Sequence, residues 1–178
     1  MTSAMAHDSN QPAAWLASHA GLLPSSGAAL DVACGRGRHA LWLAERGLRV
    51  RAVDRDPAAI AAVRDAAAAR GVVIDAELVD LEVDELSLRV DAFDLIVVVH
   101  YLHRAMFPAL RAALRPGGLL VYETFTRAQA LRGRPTNPAF LLEPGELARL
   151  VAPLEIVDAR EGEFEGRDLA SVVARRVG

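Results

Sequence analysis

The chain has 178 residues, enough for one globular domain with a sizeable core, and its 52% hydrophobic content excludes a disordered protein. A net charge of −3 argues against a general affinity for nucleic acid, because phosphate binding needs a basic surface. The single cysteine excludes an internal disulfide framework, and the absence of lysine excludes a P-loop and Schiff-base chemistry.

The N-terminal residues carry no recognisable targeting signal. Residues 1–10 lack both the basic start and the apolar core of a signal peptide. No apolar run approaches the roughly eighteen residues that a membrane-spanning helix requires. We therefore expect a cytoplasmic protein with no membrane partner, and the sequence leaves its oligomeric state open.

The first part of the chain predicts a helix, a strand and a second helix. A helix capped by Asn10 is expected to run to Gly21, followed by a connector, so that residues 1–27 precede the main domain. The apolar run at 28–33 predicts a strand, and the next helix ends at Gly47.

Strands and helices continue to alternate through the middle of the chain. Asp56-Pro57 is a strong helix start, because an N-cap residue precedes a proline at the first helical position. The run at 93–99 is apolar on both faces, which is typical of a central parallel strand. The further predicted strands are 48–53, 72–79 and 119–125, and a helix is predicted over 104–114.

The pattern changes after the fifth strand. Residues 126–142 are irregular, and we interpret them as a lid over a substrate. A short helix at 144–151 and two strands at 154–159 and 169–174 follow. The whole pattern predicts a single α/β domain, from residue 28 to 178, with a doubly wound, mostly parallel sheet and a terminal hairpin.

The turn after the first strand is the main candidate for a binding site. Gly35-x-Gly37-x-x-Ala40 matches the dinucleotide fingerprint, and glycines without Cβ atoms let a ligand approach the backbone N–H groups. Asp54 ends the second strand, where a carboxylate can accept hydrogen bonds from both ribose hydroxyls. The alternative is that the glycines serve only tight packing.

Three features point away from a nicotinamide cofactor. Asp31 lies within the first strand, Asp80 ends the third, and Pro116-Gly117-Gly118 leads towards the fifth. A dehydrogenase would also normally need a second, substrate-binding domain, for which this chain has little room.

Five motifs together resemble those of class I S-adenosylmethionine-dependent methyltransferases over residues 28–125. They are Leu30-Asp31-x-x-Cys34-Gly35-x-Gly37-Arg38, Val53-Asp54, Val79-Asp80-Leu81, Phe93-Asp94-Leu95-Ile96 and Leu114-Arg115-Pro116-Gly117-Gly118. The resemblance implies a seven-stranded sheet of order 3-2-1-4-5-7-6 with strand 7 antiparallel. Cys34-Gly35-x-Gly37-Arg38-His39 and residues 137–147 are further similar to small bacterial tellurite-resistance-type methyltransferases.

The resemblance implies S-adenosylmethionine as cofactor and a role for each motif residue. Asp31 would lie near the methionine ammonium, Asp54 at the ribose and Asp80 at the adenine amino group, although Asp80 also fits a plain loop aspartate. Arg38 would reach the methionine carboxylate or, alternatively, pair with a carboxylate on the helix surface. The complete predicted cofactor set is Asp31, Cys34, Gly35, Gly37, Arg38, Asp54, Arg55, Asp80, Leu81 and His100.

The predicted reaction is methyl transfer to a small-molecule acceptor, with an anion, a thiol and a chalcogen oxyanion as the acceptor classes considered. His100, which follows the fourth strand, is the candidate base or acceptor contact, and its alternative is a packing or capping histidine. The candidate acceptor residues are Tyr101, His103, Arg132, Arg134 and Arg167. Solvated loop arginines are the alternative interpretation of Arg132 and Arg134.

Several other functions are disfavoured or stay open. No metal is expected, because His100 and His103 lack a third ligand at suitable spacing. The fourth strand does not end in Asn/Asp-Pro-Pro-Tyr/Phe, which with the acidic charge disfavours a nucleic-acid substrate. A nicotinamide-dependent oxidoreductase and a cofactor-binding module without activity remain the alternatives.

Overall fold

A computed structural model describes residues 11–82 and 87–178 and contains one seven-stranded sheet. The strands are β1 (Gly27–Val32), β2 (Leu48–Asp54), β3 (Ile74–Leu78), β4 (Phe93–Val99), β5 (Leu114–Phe125), β6 (Glu155–Phe164) and β7 (Arg167–Arg175). Their spatial order is β3-β2-β1-β4-β5-β7-β6, and β7 is antiparallel to both of its neighbours. The predicted fold class, strand order and terminal hairpin are therefore confirmed.

Helices cover both faces of this sheet. They are α1 (Ala14–Ser18), α2 (Arg38–Glu45), α3 (Pro57–Arg70), α4 (Phe107–Ala113) and α5 (Glu146–Val151). Side chains of α1, α2 and α3 join one buried apolar cluster, and side chains of α4 and α5 join a second cluster on the opposite face. Alternate residues of β4 enter the two clusters, Leu95 and Val97 on one side and Ile96 and Val98 on the other, as its all-apolar sequence predicts.

Some element boundaries differ from the predictions. β3 is shorter than 72–79, and α1 is a single turn that begins only at Ala14; the predicted cap Asn10 lies outside the described residues. β5 begins at Leu114, because Gly117 and Gly118 exchange backbone hydrogen bonds with Arg176 and so belong to a paired strand with a bulge.

The register of the parallel strands defines where a site can form. Val32 at the end of β1 is paired with Val53 of β2 and Val98 of β4, so the carboxyl ends of all three strands meet at one edge. In open α/β sheets, ligands bind in the crevice outside such ends. Within the described ranges, no helix has the length and apolarity needed to cross a membrane.

Candidate active site

The turn after β1 is held in its shape by a carboxylate from the next strand. Ala33, Gly35 and Gly37 have φ values of 54°, 54° and 82°, so the backbone passes through the left-handed region three times. The Gly35 N–H donates to Asp54 Oδ2 at 2.7 Å, and Asp54 Oδ1 accepts from the Asp56 N–H at 2.9 Å. Asp54 thus links the glycine turn to the start of α3.

The two glycines of the turn have different physical roles. A Cβ on Gly35 would meet nothing within 4 Å, because it would extend into the open cavity above the turn. A Cβ on Gly37 would lie 2.7 Å from Cγ2 of Val63, so this glycine lets α2 begin against α3. Gly35 therefore borders open cavity space, whereas Gly37 has a packing function.

A cavity of about 310 Å³ opens above the carboxyl ends of β1, β2 and β4. Five of the predicted site residues line it: Asp54, Arg55, Leu81, His100 and Tyr101. The remaining lining residues are Ala33, Glu82, Leu102, Phe125, Pro135 and Phe140. A carboxylate between apolar walls is a suitable environment for a nucleoside.

A second cavity of about 380 Å³ continues past the glycine turn. Its lining residues are Ala33, Cys34, Gly35, Arg36, Arg38, His39, Val99, His100 and Arg167. Both cavities share Ala33 and His100, so the imidazole of His100 stands at their junction. The fold thus brings Arg167, from the last strand, to the same space as the glycine turn.

His100 adopts an uncommon backbone conformation. Its φ is +59°, its N–H donates to the Glu123 carbonyl at 2.8 Å, and its ring stacks on Phe125 with centroids 4.7 Å apart. A histidine in the left-handed region costs free energy, and such strain is concentrated at functional sites. Burial, with the charges of Arg167 and Arg38, lowers the pKa of His100 to about 4. The imidazole is therefore neutral at pH 7.

Asp31 and Cys34 lie beneath the turn. Asp31 is fully buried; its Oδ2 accepts from the Ala40 N–H at 3.0 Å, and its Oδ1 has no hydrogen-bond partner among the described residues. Burial raises the pKa of Asp31 to about 7, although the Ala40 hydrogen bond and the charge of Arg38 act in the opposite direction. Burial, and then the charge of Asp31, raises the pKa of the Cys34 thiol, so it is not a thiolate nucleophile.

Of the two residues expected around the adenine, Leu81 lines the first cavity and Asp80 is not part of its wall. Asp80 is half-buried and accepts a hydrogen bond from the Glu82 N–H at 3.1 Å, while the adjacent Leu81 lines the cavity. Arg55 forms an ion pair with Glu82 at 2.9 Å. The hydroxyl of Tyr101 is buried in the cavity wall with no hydrogen-bond partner in the described ranges.

Three of the predicted acceptor residues lie outside the walls of both cavities. His103 precedes α4 in a loop, and Arg134 is exposed. Arg132 forms ion pairs with Asp168 and Glu163, so it attaches the irregular segment to the β6–β7 hairpin.

The segment at 126–142 contributes apolar residues to the site. Pro135 and Phe140 line the first cavity together with Phe125, the last residue of β5. None of the three was named as a candidate site residue. The strand-end position of Phe125 was a usable signal, and Pro135 and Phe140 lie in the segment predicted as a lid, although no local pattern distinguishes them from its other residues.

Residues 29–118 match the model of a family described as a methyltransferase domain. The chain belongs to this methyltransferase family. A curated relative, Hemagglutinin 1 of Eikenella corrodens, is 32% identical over 138 residues, which are 74% of this chain and 45% of that protein. The methyltransferase chain thus spans less than half the length of that relative.

Solved structures show the same fold. One solved structure comes from work on the conversion of a disulfide bond into a thioacetal group during echinomycin biosynthesis, and its chain is 26% identical to this one. The TM-score is 0.73, and the match covers 96% of this chain and 84% of that chain. TehB from Haemophilus influenzae is 20% identical, with a TM-score of 0.76, and the match covers 90% of this chain and 61% of TehB. An S-adenosylmethionine-dependent methyltransferase from Mesorhizobium loti is 22% identical, with a TM-score of 0.72, and the match covers 92% of this chain and 98% of that chain.

Membership of the methyltransferase family agrees with the S-adenosylmethionine cofactor that the sequence motifs predict. The residues of the site fit that molecule. Gly35 leaves open space where a Cβ would protrude, Asp54 offers oxygens that accept hydrogen bonds, and the Tyr101 hydroxyl and Asp31 Oδ1 are buried without partners. Buried polar atoms of this kind are normally satisfied, so a bound ligand with hydroxyl and ammonium groups suits them.

We predict that Gly35→Val prevents cofactor binding by filling the space above the turn. Gly71→Val is the matched control: Gly71 has a similar φ of +66° and also open space around its Cβ position, but it ends α3 away from the site. Calorimetric titration with S-adenosylhomocysteine should show binding by the control and none by Gly35→Val. Equal affinity in both variants would place Gly35 outside the cofactor site.

We also predict that the imidazole of His100 titrates with a midpoint near pH 4, well below the ordinary histidine pKa of about 6.5. Arg167→Gln should raise the pKa of His100, because it removes a positive charge that opposes protonation. Arg175→Gln, at the other end of β7, should leave it unchanged. Nitrogen-15 NMR over a pH series measures all three midpoints, and an unshifted His100 in the wild type would contradict the prediction.

Proposed function

We propose that this enzyme transfers the methyl group of S-adenosylmethionine to a small-molecule acceptor held beside His100. The observation that carries the proposal is the pair of cavities that meet at Ala33 and His100, next to the Gly35 turn and Asp54. One cavity suits the nucleoside and the other the amino-acid part, so the reacting sulfur would lie near their junction.

In this proposal, the cofactor contacts come mainly from β1, β2 and the loops after them. Asp54 accepts hydrogen bonds from the ribose, and its existing bond to the Gly35 N–H keeps the turn open for the ligand. Asp80 and Leu81 contact the adenine, and Asp31 Oδ1 faces the ammonium group. When bound, S-adenosylmethionine supplies a methyl group activated by its sulfonium.

In this proposal, the residues of the chain align the acceptor with the methyl group and keep water away from the reacting atoms. Aligning the acceptor with the methyl group supplies much of the rate of an in-line displacement. Phe125, Pro135 and Phe140 line the same cavity as Asp54 and Leu81; in this proposal the nucleoside fills only part of that cavity, and the three apolar residues surround the acceptor in the rest and limit the access of water. A neutral His100 can accept a hydrogen bond from the acceptor through a ring nitrogen, whereas its pKa of about 4 makes it a weak base.

The proposed acceptors are small anions, thiols and chalcogen oxyanions. Sulfur chemistry is supported by the 26% identical structure, which is described in terms of a disulfide and a thioacetal group. Anionic acceptors are supported by the arginines of the second cavity.

We further propose that residues 126–142 act as a lid of the domain at 28–178, with residues 1–27 as a preceding segment. Two 3-10 turns interrupt the lid, and Leu131 and Phe140 are exposed although both are large and apolar. The Thr126–Leu142 bridge joins the two ends of the lid, and the ion pairs of Arg132 attach its first half to the β6–β7 hairpin, so movement would be concentrated between Arg132 and Leu142.

The first test of the proposed function is cofactor titration. We expect S-adenosylmethionine and S-adenosylhomocysteine to bind in about the micromolar range and NAD to show no measurable binding. Asp54→Ala should weaken S-adenosylhomocysteine binding by about 1.5–3 kcal/mol, the scale of hydrogen bonds to a charged group. Asp65→Ala, an exposed position on α3, is the control. Tighter binding of NAD than of S-adenosylmethionine would overturn the proposal.

The second test concerns the acceptor side. Phe140→Ala should raise the KM of a thiol, selenite or carboxylate substrate found by screening about fivefold, because it removes apolar wall area. Its matched control is Leu131→Ala, which alters a side chain of the same segment that is 92% exposed. Affinity for S-adenosylhomocysteine should be unchanged in both variants. If Phe140→Ala lowers only cofactor affinity, the wall it forms belongs to the cofactor site.

A further inference from the structure

The loop after β4 forms part of the wall of the first cavity and is attached to the sheet. His100, Tyr101 and Leu102 of this loop line the cavity. The Tyr122 hydroxyl, on β5, donates to the Tyr101 carbonyl at 2.8 Å, and Leu102 is buried. Arg104 follows at the start of a 3-10 turn. Its side chain therefore extends from a loop whose backbone is held in place.

Arg104 reaches from this loop to the segment that carries Phe140. Arg104 Nη1 donates to the Ala139 carbonyl at 2.9 Å, and Nη2 donates to the Leu141 carbonyl at 2.9 Å. Phe140 lies between these two acceptors in the chain, and its side chain lines the first cavity. Hydrogen bonds on both sides of one residue fix its backbone, so they restrict where the Phe140 side chain can lie.

Glu146 of α5 orients the guanidinium for these two bonds. Its Oε1 accepts from Arg104 Nε at 2.6 Å and its Oε2 from Nη2 at 3.0 Å, which is a bidentate pair. Glu146 Oε2 also accepts from the Glu143 N–H at 2.8 Å. The hydrogen bonds from Arg104 hold the pKa of Glu146 below its ordinary value, so the carboxylate is ionised at neutral pH. All three guanidinium nitrogens of Arg104 are therefore engaged.

The turn that contains Phe140 is stabilised by local hydrogen bonds. It is a single 3-10 turn, Pro138–Phe140, and Asn137 Oδ1 accepts from the Ala139 N–H at 3.0 Å. The Asn137 carbonyl accepts from the Phe140 N–H, also at 3.0 Å. Phe140 is 41% exposed, so packing holds it less firmly than a core residue. Arg104 thus links a short local turn to the loop after β4.

We propose that Arg104 is a positioning residue that holds Phe140 in the wall of the first cavity and so sets the space open to the methyl acceptor. The proposal rests on the proposed function, because it assigns the part of the cavity beside Phe140 to the acceptor. Arg104 itself is not part of the cavity wall. It therefore acts on acceptor binding through Phe140 and leaves the cofactor contacts unchanged.

Fluorine NMR tests the positioning without any substrate. The chain has five phenylalanines, so protein labelled with 4-fluorophenylalanine gives five resonances, and Phe140→Leu identifies the one that belongs to Phe140. Arg104→Gln should move this resonance towards its position in unfolded protein. Arg104→Lys should also move it, because an ammonium group lacks the planar geometry that bonds Glu146 and both carbonyls at once. A Phe140 resonance that stays at its wild-type position in both variants would overturn the proposal.

Arg51→Gln is the matched control. Arg51 forms the same kind of bidentate pair with Glu77, at 2.9 and 2.8 Å, and donates to the Ser87 carbonyl at 3.2 Å. None of these three residues lines either cavity. The control should leave the Phe140 resonance unchanged, and melting curves of all variants establish that each is folded. A shift of Phe140 in the control as large as in Arg104→Gln would indicate general loosening and overturn the proposal.

A double-mutant cycle tests whether Arg104 acts on the acceptor through Phe140. With an acceptor found by screening thiols, selenite and carboxylates, Arg104→Gln should raise KM about fivefold and leave kcat and the affinity for S-adenosylhomocysteine unchanged. In the Phe140→Ala background the same change should raise KM less than about twofold, because the residue through which it acts is gone. Equal effects in both backgrounds would overturn the proposal.

The two proposals fail in distinguishable ways. Wild-type protein that binds no S-adenosylhomocysteine overturns the proposed function, and fluorine NMR of the protein alone then still decides whether Arg104 positions Phe140. If the wild type binds S-adenosylhomocysteine and transfers the methyl group, but Arg104→Gln leaves KM unchanged, only the positioning proposal is overturned.

Discussion

The hydrogen bond from the Gly35 N–H to the Asp54 carboxylate is the interaction on which the site depends. It joins the turn after β1 to the end of β2 at 2.7 Å, and the same carboxylate accepts from Asp56 at the start of α3. A carboxylate with two oxygens has further lone pairs available, so Asp54 can organise the turn and still receive a ligand. One residue thus connects the backbone geometry of the turn with the chemistry proposed for it.

The electrostatic character of the site follows from how deeply its groups are buried. Asp31 is fully enclosed beneath the turn, and its pKa is raised to about 7 by burial. Burial lowers the pKa of His100, and the charges of Arg167 and Arg38 lower it further, so the imidazole is neutral. The site therefore combines a nearby positive wall with an uncharged imidazole, and burial and the same positive charges make that imidazole a weak base.

The terminal hairpin has a positioning function in addition to completing the sheet. β7 inserts between β5 and β6, and the first residue of β7 is Arg167 in the wall of the second cavity. Asp168 of β7 and Glu163 of β6 both bind Arg132, and these ion pairs attach the segment after β5 to the hairpin. The same hairpin thus lines the second cavity and holds the segment that we propose as a lid.

The sequence by itself determined the fold class and the position of the glycine turn, and the strand order was predicted only through the family resemblance. These features depend on local patterns: the apolar run of β4, the cap at Asp56, and the motif around Gly35 each lie within a few consecutive residues. The family resemblance also predicted Asp54 as a site residue, because Asp54 follows a strand that is recognisable in the sequence.

Only the tertiary structure decided which distant residues meet. The contact of Gly37 with Val63, the shared cavity of Arg38 and Arg167, and the ion pairs of Arg132 all join segments far apart in the chain. Pro135 and Phe140 line a cavity although no periodic pattern surrounds them. Side-chain contacts of this kind depend on how elements pack across the sheet, which local propensity and spacing do not encode.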